Sequence, residues 1–451
     1  MLSGFLTHPR QKEDTMSQAQ LQLLLAELMP PAADGSEDED SDSGDEAQAV
    51  AAQIQANLQQ QPPPVREEGA KLNSTISMEE LDRALELTPN YRAAGTDEVK
   101  GEFLRYLGDD AREALLEFYN LVYAHQICPS QWRKDVAWPI HKAGDKRNPA
   151  NYRLITLMSV MCKVFERIMH NRLTRWCNEQ QQKPIDTNQV GFQANLCTLD
   201  LIYTLTETVR LRAAASRPTY VCFVDVRKAF PSVFKAGLLF KLHQIGVRGR
   251  YWRMIKSMYA SISTRILTGS GDAELGAEEL ESLYYDVDTG VREGSILSPL
   301  LYILFIDGLL DRLRKKRLGV RLRNCATAAT TWVGALMYAD DLALLADGPG
   351  ELQLMLDIIT DYSRKWRFSI NPQTSKTSVL CFMETKTQAA KRKAAFGDTW
   401  WCGGNRIFEE EHYKYLGVHI TPDLNPTKHL SQLKYTVAAQ KREAILIGVR
   451  A

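Results

Sequence analysis

The chain has no C-x-x-C pair among its eight cysteines, no apolar run of membrane-spanning length and no net charge. Each absence excludes something. Scattered cysteines, several of them inside apolar runs, give neither the ligand spacing of a zinc site nor a disulfide framework. They fit a reducing compartment, the nucleus or the cytoplasm. Without about 18 consecutive apolar residues there is no membrane-spanning helix, so no membrane partner is expected. The first residues also lack the layout of a secretory signal, which again makes an intracellular protein the expectation. The balance of 55 basic against 55 acidic residues excludes little, because it hides a split. Residues 1–70 hold 3 Lys/Arg against 13 Asp/Glu (net −10), and the other 381 hold 52 against 42 (net +10). A basic body suits a polyanionic partner; a body that is merely mildly basic is the plainer alternative.

At 451 residues and 44% apolar content the chain can bury a large core in two or three domains. Residues 1–72 form an acidic, Gln/Pro-rich arm in which GSEDEDSDSGDE (Gly35–Glu46) and QQQPPP (Gln59–Pro64) cannot bury enough apolar surface to order the chain. Short helices are candidates at Gln18–Met29 and Ala47–Gln59. Ser36, Ser41 and Ser43, set among acids, are candidate phosphorylation sites, with solvated linker as the other reading. Folded sequence is expected from about Ser77, where Ser-Met-Glu-Glu resembles a capping box.

The stretch Leu336-Met337-Tyr338-Ala339-Asp340-Asp341-Leu342-Ala343-Leu344-Leu345 places two adjacent carboxylates between short apolar runs, the pattern of a buried β-hairpin. Like charges this close repel, and burial disfavours their ionisation. A divalent cation with oxygen ligands removes that cost; an ordinary acidic turn is the competing reading. A third acid, Asp225, ends the strongest strand, Tyr220–Val226, which is apolar on both sides and so central in its sheet. Three carboxylates meeting at strand ends make a two-metal site. Phe230, five residues on, would lie beside any sugar bound near Asp225, unless it is simply a core ring.

Elsewhere, Asp135–His141 is a strand candidate followed by a polar turn and Tyr152-Arg153-Leu154-Ile155. That hairpin would hold Lys142 and Arg153 facing the same way, able to grip a triphosphate or to stand as solvated charges. A helix over Met158–Cys177 carries Lys163, Arg167 and Arg172 on one side. The turn-rich Asp286–Leu301 contains Gly290 and Gly294, which let backbone approach a ligand closely, and leads into an apolar helix over Leu300–Leu310. His412–Ile420 reads as a strand and Lys428–Val449 as a helix. Trp400 and Trp401 are either base-stacking rings or core and turn aromatics.

In this order the segments resemble the reverse transcriptases of non-LTR retrotransposons, from about Ser77 onward. Ala94-Gly95-Thr96-Asp97 is similar to the motif preceding the fingers. Pro139, Lys142, Tyr152 and Arg153 match the fingers pattern, and Gln189-Val190-Gly191-Phe192 an additional fingers segment. Asp225 with Ala229-Phe230 matches the first catalytic aspartate and its sugar gate. Gly290–Leu301 resembles the template and nucleotide loop, Tyr338–Asp341 the signature hairpin, Lys376 the next motif's lysine, and Tyr415-Leu416-Gly417 the primer grip. The resemblance implies an α+β right-hand polymerase fold: fingers over 73–215, a palm with an antiparallel sheet over 216–425, and a thumb beginning at 426–451. It implies copying of an RNA template from a DNA primer with dNTP substrates. Asp225, Val226, Asp340 and Asp341 would hold two Mg²⁺ ions, with Mn²⁺ as a substitute. Lys142, Arg153, Phe230, Glu293, Gly294 and Lys376 would contact the nucleotide. Glu293 stands where glutamine is usual, Leu154 where proline is, and Pro231 where aspartate is frequent. Endonuclease activity is expected to come from elsewhere, and the thumb to be short. Two other readings stay open: a retrotransposon relic that binds RNA without catalysis, and an RNA-copying RNA polymerase, against which Phe230 argues.

Overall fold

The structure, a computed structural model, describes residues 70–142, 144–148, 151–267, 283–323, 327 and 329–446. The acidic block, the candidate helices at Gln18–Met29 and Ala47–Gln59, and Ser36, Ser41 and Ser43 lie outside the described residues. The principal elements are, in chain order, α1 (Met78–Glu86), α2 (Asp109–His125), β1 (Lys134–His141), β2 (Tyr152–Leu157) and α3 (Val160–Glu179). Next come α4 (Thr198–Ala214), β3 (Thr219–Asp225), α5 (Lys235–Gln244), α6 (Gly249–Met258), β4 (Ile262–Ile266) and β5 (Tyr285–Val287). Then follow α7 (Ser298–Ile306), α8 (Gly308–Lys315), β6 (Arg321–Arg323), β7 (Thr330–Trp332), β8 (Ala335–Tyr338), β9 (Asp341–Ala346) and α9 (Pro349–Trp366). The last elements are β10 (Ser378–Phe382), α10 (Lys386–Phe396), β11 (Thr399–Cys402), β12 (Asn405–Phe408), β13 (Tyr413–Tyr415), β14 (Val418–Ile420) and α11 (Thr427–Leu446). This is the mixed α+β class expected.

Two compact units result. One comprises the described residues up to Gln180 together with Lys235–Leu301; the other comprises Gln181–Phe234 and the residues from Tyr302 onward. The units are thus interleaved in sequence, with 181–215 in the second and 235–301 in the first.

In the first unit the sheet runs β2-β1-β4-β5, antiparallel except for the parallel pair β1 and β4. The capping box forms as read: the Ser77 hydroxyl accepts from Glu80 N and the Glu80 carboxylate accepts from Ser77 N. Arg172 departs from its reading as one of three cations on a helix side. Its side chain is 4% exposed, bonded to Glu80 at 2.6 Å and donating to the Leu72, Ser74 and Thr75 carbonyls. A guanidinium buried this way is tolerated because nearly all its donors are met.

In the second unit the sheet is wholly antiparallel in the order β10-β3-β9-β8. Residues 219–224 of β3 are all buried, as the unbroken apolar run requires of a central strand. Val221, Phe223, Ala343, Leu345, Leu380 and Phe382 share one core with Leu201, Leu205 and Val209 of α4. Tyr413 and Tyr415 join that core; the Tyr413 ring stacks on Phe223 at 4.4 Å.

Two expectations change. The apolar stretch Leu300–Leu310 is not one helix but α7 and α8, divided at Asp307, whose two carboxylate oxygens each accept from Asp186 N at 3.1 Å. The stretch His412–Ile420 is not one strand but the hairpin β13–β14, turned at Leu416 (φ 47°) and Gly417 (φ 88°). Those left-handed angles break the extended backbone.

Candidate active site

Strand pairing alone brings the three acids together. Asp225 closes β3 and Asp341 opens β9, and the two are direct cross-strand partners. Residues so paired point to the same face with Cβ atoms about 5 Å apart. Asp340 stands in the two-residue turn between β8 and β9, since Tyr338 pairs with Asp341. Ala339, its neighbour in the turn, is left-handed at φ 57°.

Desolvation pushes the Asp341 carboxyl up to about 6, and the charges of Asp340 and Asp225 push the same way, with Lys376 opposing. The Tyr302 hydroxyl is buried without a hydrogen-bond partner; burial, then Asp340 and Asp225, drives its pKa well above the usual range. Hard oxygen donors, mutually repelling and partly desolvated, are the donor set that a divalent cation satisfies. The residues present fit such an ion.

Around Asp225 the structure adds groups that spacing did not single out for this role. Asn371 N donates to the Asp225 carbonyl at 2.9 Å, and Asn371 Nδ2 to Asp225 Oδ2 at 3.3 Å. Asp225 N donates to Thr377 Oγ1 at 3.3 Å. Lys376 Nζ lies 3.2 Å from Asp225 Oδ1, which brings that expected residue to the acids. Asn371-Pro372 is a turn-favouring pair, the signal in the sequence for a sharp return here. Val226 is buried and bridges to Ile370.

Phe230 is half-buried, with Tyr302 beneath it at 5.3 Å and Phe192 beside it at 6.2 Å. The exposed Phe192 ring also lies 6.5 Å from Tyr338, so the Gln189–Phe192 segment belongs to this site rather than apart from it. In the expected primer grip, Tyr415 is buried, and Tyr413 Oη donates to the Lys376 carbonyl at 2.6 Å.

The other expected nucleotide contacts belong to the first unit. Ile140 pairs with Arg153, and Lys142 N bonds Asn151 O at 2.7 Å, so alternation puts Lys142 and Arg153 on one face. Thr156 N donates to the Glu293 carbonyl at 3.2 Å, tying the loop to β2. Burial raises the Glu293 carboxyl, while Arg153 and Lys142 lower it. Gly294 has φ 126°, and a Cβ there would stand 2.5 Å from Thr156 O. Beside it, buried Arg292 donates to Trp132 O at 2.7 Å and pairs with Glu166 at 3.2 Å and Asp135 at 3.4 Å. Desolvation pushes Asp135 up to about 6, with Arg292 opposing.

A second group of ligand-type atoms, Cys381, Glu384 and Glu409, lies near β10. Arg392 bonds both carboxylates at 3.0 Å, so a cation already meets their charge. Trp400 is core, fully buried, whereas Trp401 is about half exposed.

Residues 140–420 match the family "Reverse transcriptase (RNA-dependent DNA polymerase)", and the chain belongs to that family. Among its relatives it is 25% identical over 401 residues to the probable RNA-directed DNA polymerase from transposon X-element of Drosophila melanogaster, covering 85% of this chain and 40% of that one. It is 24% identical over 369 residues to the RNA-directed DNA polymerase from mobile element jockey of Drosophila funebris, 80% of this chain and 37% of the other. The Pol polyprotein from type-1 retrotransposable element R2 of Nasonia vitripennis is 25% identical over 309 residues, 68% and 28% respectively. The expected kinship with non-LTR retrotransposon reverse transcriptases is borne out. The chain spans less than half the length of these relatives. Among the described residues no helix is long and apolar enough to cross a membrane.

Proposed function

We propose that this chain carries the polymerase of an RNA-directed DNA polymerase, extending a DNA primer with deoxynucleotides on an RNA template. The observation that carries the reading is the pairing of Asp225 with Asp341 beside Asp340. In the reaction the primer 3′-hydroxyl gives up its proton to solvent, its oxygen bonds the α-phosphorus of the dNTP, the bond from that phosphorus to the bridging oxygen breaks, and pyrophosphate leaves. Asp225, Asp340 and Asp341, with the Val226 backbone, would hold two Mg²⁺ ions, for which Mn²⁺ substitutes. When bound, such ions supply positive charge for the attacking and leaving oxygens.

The chain's own groups do the rest. Lys142 and Arg153 neutralise the triphosphate, Arg153 in bidentate fashion. Glu293 and Gly294 line the nucleotide. Phe230, stiffened by Tyr302 beneath it, leaves no room for a 2′-hydroxyl. Lys376 neutralises charge on the leaving side, and Tyr415-Leu416-Gly417 seats the primer end. In fold terms the sheet β10-β3-β9-β8 is the palm of a right hand, the β1–β2 hairpin belongs to the fingers, and α11 begins the thumb.

The experiment is primer extension with oligo-dT on poly-rA, labelled dTTP and Mg²⁺. Incorporation by the wild-type chain, abolished by Asp340→Asn and by chelation, is the expected result. Equal incorporation by Asp340→Asn would overturn the assignment. Tight RNA binding without any extension would select the non-catalytic relic instead.

A further inference from the structure

We infer that Gln189 is a positioning residue of the metal site, a clamp that fixes the acidic turn and thereby sets where Asp340 and Asp341 stand. The inference rests on the proposed metal-holding role of these aspartates. Gln189 is fully buried, which is unusual for a glutamine unless its amide is committed. Here it is committed to one residue of the turn and one of its own segment. Its Oε1 accepts from Ala339 N at 2.9 Å and from Gly191 N at 3.1 Å, and its Nε2 donates to Ala339 O at 3.4 Å.

The turn needs such a partner. Ala339 is 3% exposed and left-handed, a conformation that L side chains adopt at a cost, and its backbone groups lie outside the β8–β9 ladder. The segment carrying Gln189 is itself pinned to β8, with Val190 N donating to Met337 O at 2.8 Å and Met337 N to Asn188 O at 2.9 Å. Gly191 closes the arrangement. A Cβ there would overlap Ala339 N, so the segment lies against the turn with no gap. Repulsion among the three carboxylates pushes the turn outward, and the Gln189 amide opposes that push at the residue next to Asp340.

A merely structural glutamine and a positioning one differ in what they move. The test uses the whole chain carrying Gln189→Met, which keeps the length and removes both hydrogen-bonding groups. Leu205→Ala is the control for lost stability, since Leu205 is fully buried in the core that also takes up Val190 and offers the turn no hydrogen-bonding group. Binding of Mn²⁺ alone is followed by the free-ion electron paramagnetic resonance signal, and primer extension is measured in parallel. Gln189→Met should weaken Mn²⁺ binding about tenfold, and Leu205→Ala should leave it unchanged. In extension, kcat should fall about tenfold with the KM for dTTP within about twofold.

Equal Mn²⁺ affinity in wild type and Gln189→Met overturns the clamp, even if the wild type polymerises. The same weakening in Leu205→Ala also overturns it, because the effect is then general stability. Absence of Mn²⁺ binding by the wild type overturns it as well. If Gln189→Met weakens Mn²⁺ binding while the wild type extends no primer, the clamp stands and the polymerase reading falls.

Discussion

Two hairpins carry the charges on which the proposed chemistry depends, and they are built in opposite ways. The β8–β9 hairpin is buried along both strands, turns in two residues and holds anions. The β1–β2 hairpin leaves Trp138, Ile140 and Ile155 exposed, turns over the ten residues from Lys142 to Asn151 and holds cations. Repelling carboxylates need a rigid frame to stay together, so their hairpin is packed and clamped. Cations that meet a polyphosphate need only be on the right face, and their long side chains do the rest. Substitutions should therefore bite hard in the first hairpin and gently in the second.

The largest effect should come from Asp341→Asn. Removing one of three carboxylates from a two-metal site should lower primer extension by about a thousandfold, about 4 kcal/mol of transition-state stabilisation. Thermal stability should hold or rise slightly, because burial and its neighbours already disfavour this charge. A variant that retains even a tenth of the activity would show the anionic hairpin to be scaffold. Next is Leu344→Ala, fully buried on the same strand, which should cost about 2–5 kcal/mol in urea unfolding. Trp138→Ser on the cationic hairpin should cost under about 0.5 kcal/mol in the same assay. Similar costs at the two positions would erase the distinction between the hairpins.

The sequence made one of these hairpins far easier to read than the other. Leu336–Leu345 and Tyr220–Val226 have no alternation because both faces are covered, and an acid ending such a run has no solvation role to explain it. What the runs do not contain is the partner that approaches from far along the chain. Asn371 and Thr377 meet Asp225, and Gln189 meets the turn residue Ala339, only because β10 pairs with β3 and a loop lies on β8. Their own neighbourhoods read as turn and segment boundaries. The β13–β14 hairpin was hidden for a local reason: only Gly417 advertises the turn, and Leu416 adopts its left-handed angle under the packing of Tyr413 and Tyr415. The break between α7 and α8 was hidden by a distant one, the bonds from Asp186 to Asp307. The parallel pairing of β1 with β4 likewise has no signature in either strand.

On the cationic side, Arg153→Ala should raise the KM for dTTP about ten- to a hundredfold with kcat little changed, since a charge-assisted contact to the triphosphate is worth about 1.5–3 kcal/mol. A fall in kcat alone would place Arg153 in the chemistry rather than in binding.

Glu293→Gln should give the smallest effect on primer extension, and in the opposite direction. The Glu293 backbone carbonyl accepts from Thr156 N of β2, and the charges of Arg153 and Lys142 lower a carboxyl that burial raises. When ionised, it neutralises part of the charge offered to the triphosphate; an amide of the same shape does not. The KM for dTTP should therefore fall about two- to threefold in Glu293→Gln, with the gain growing as pH rises and the wild-type carboxyl ionises. Steady-state extension at several pH values measures it. A higher KM in Glu293→Gln would mean that the carboxylate itself bonds the nucleotide. The cationic hairpin would then be as finely arranged as the anionic one.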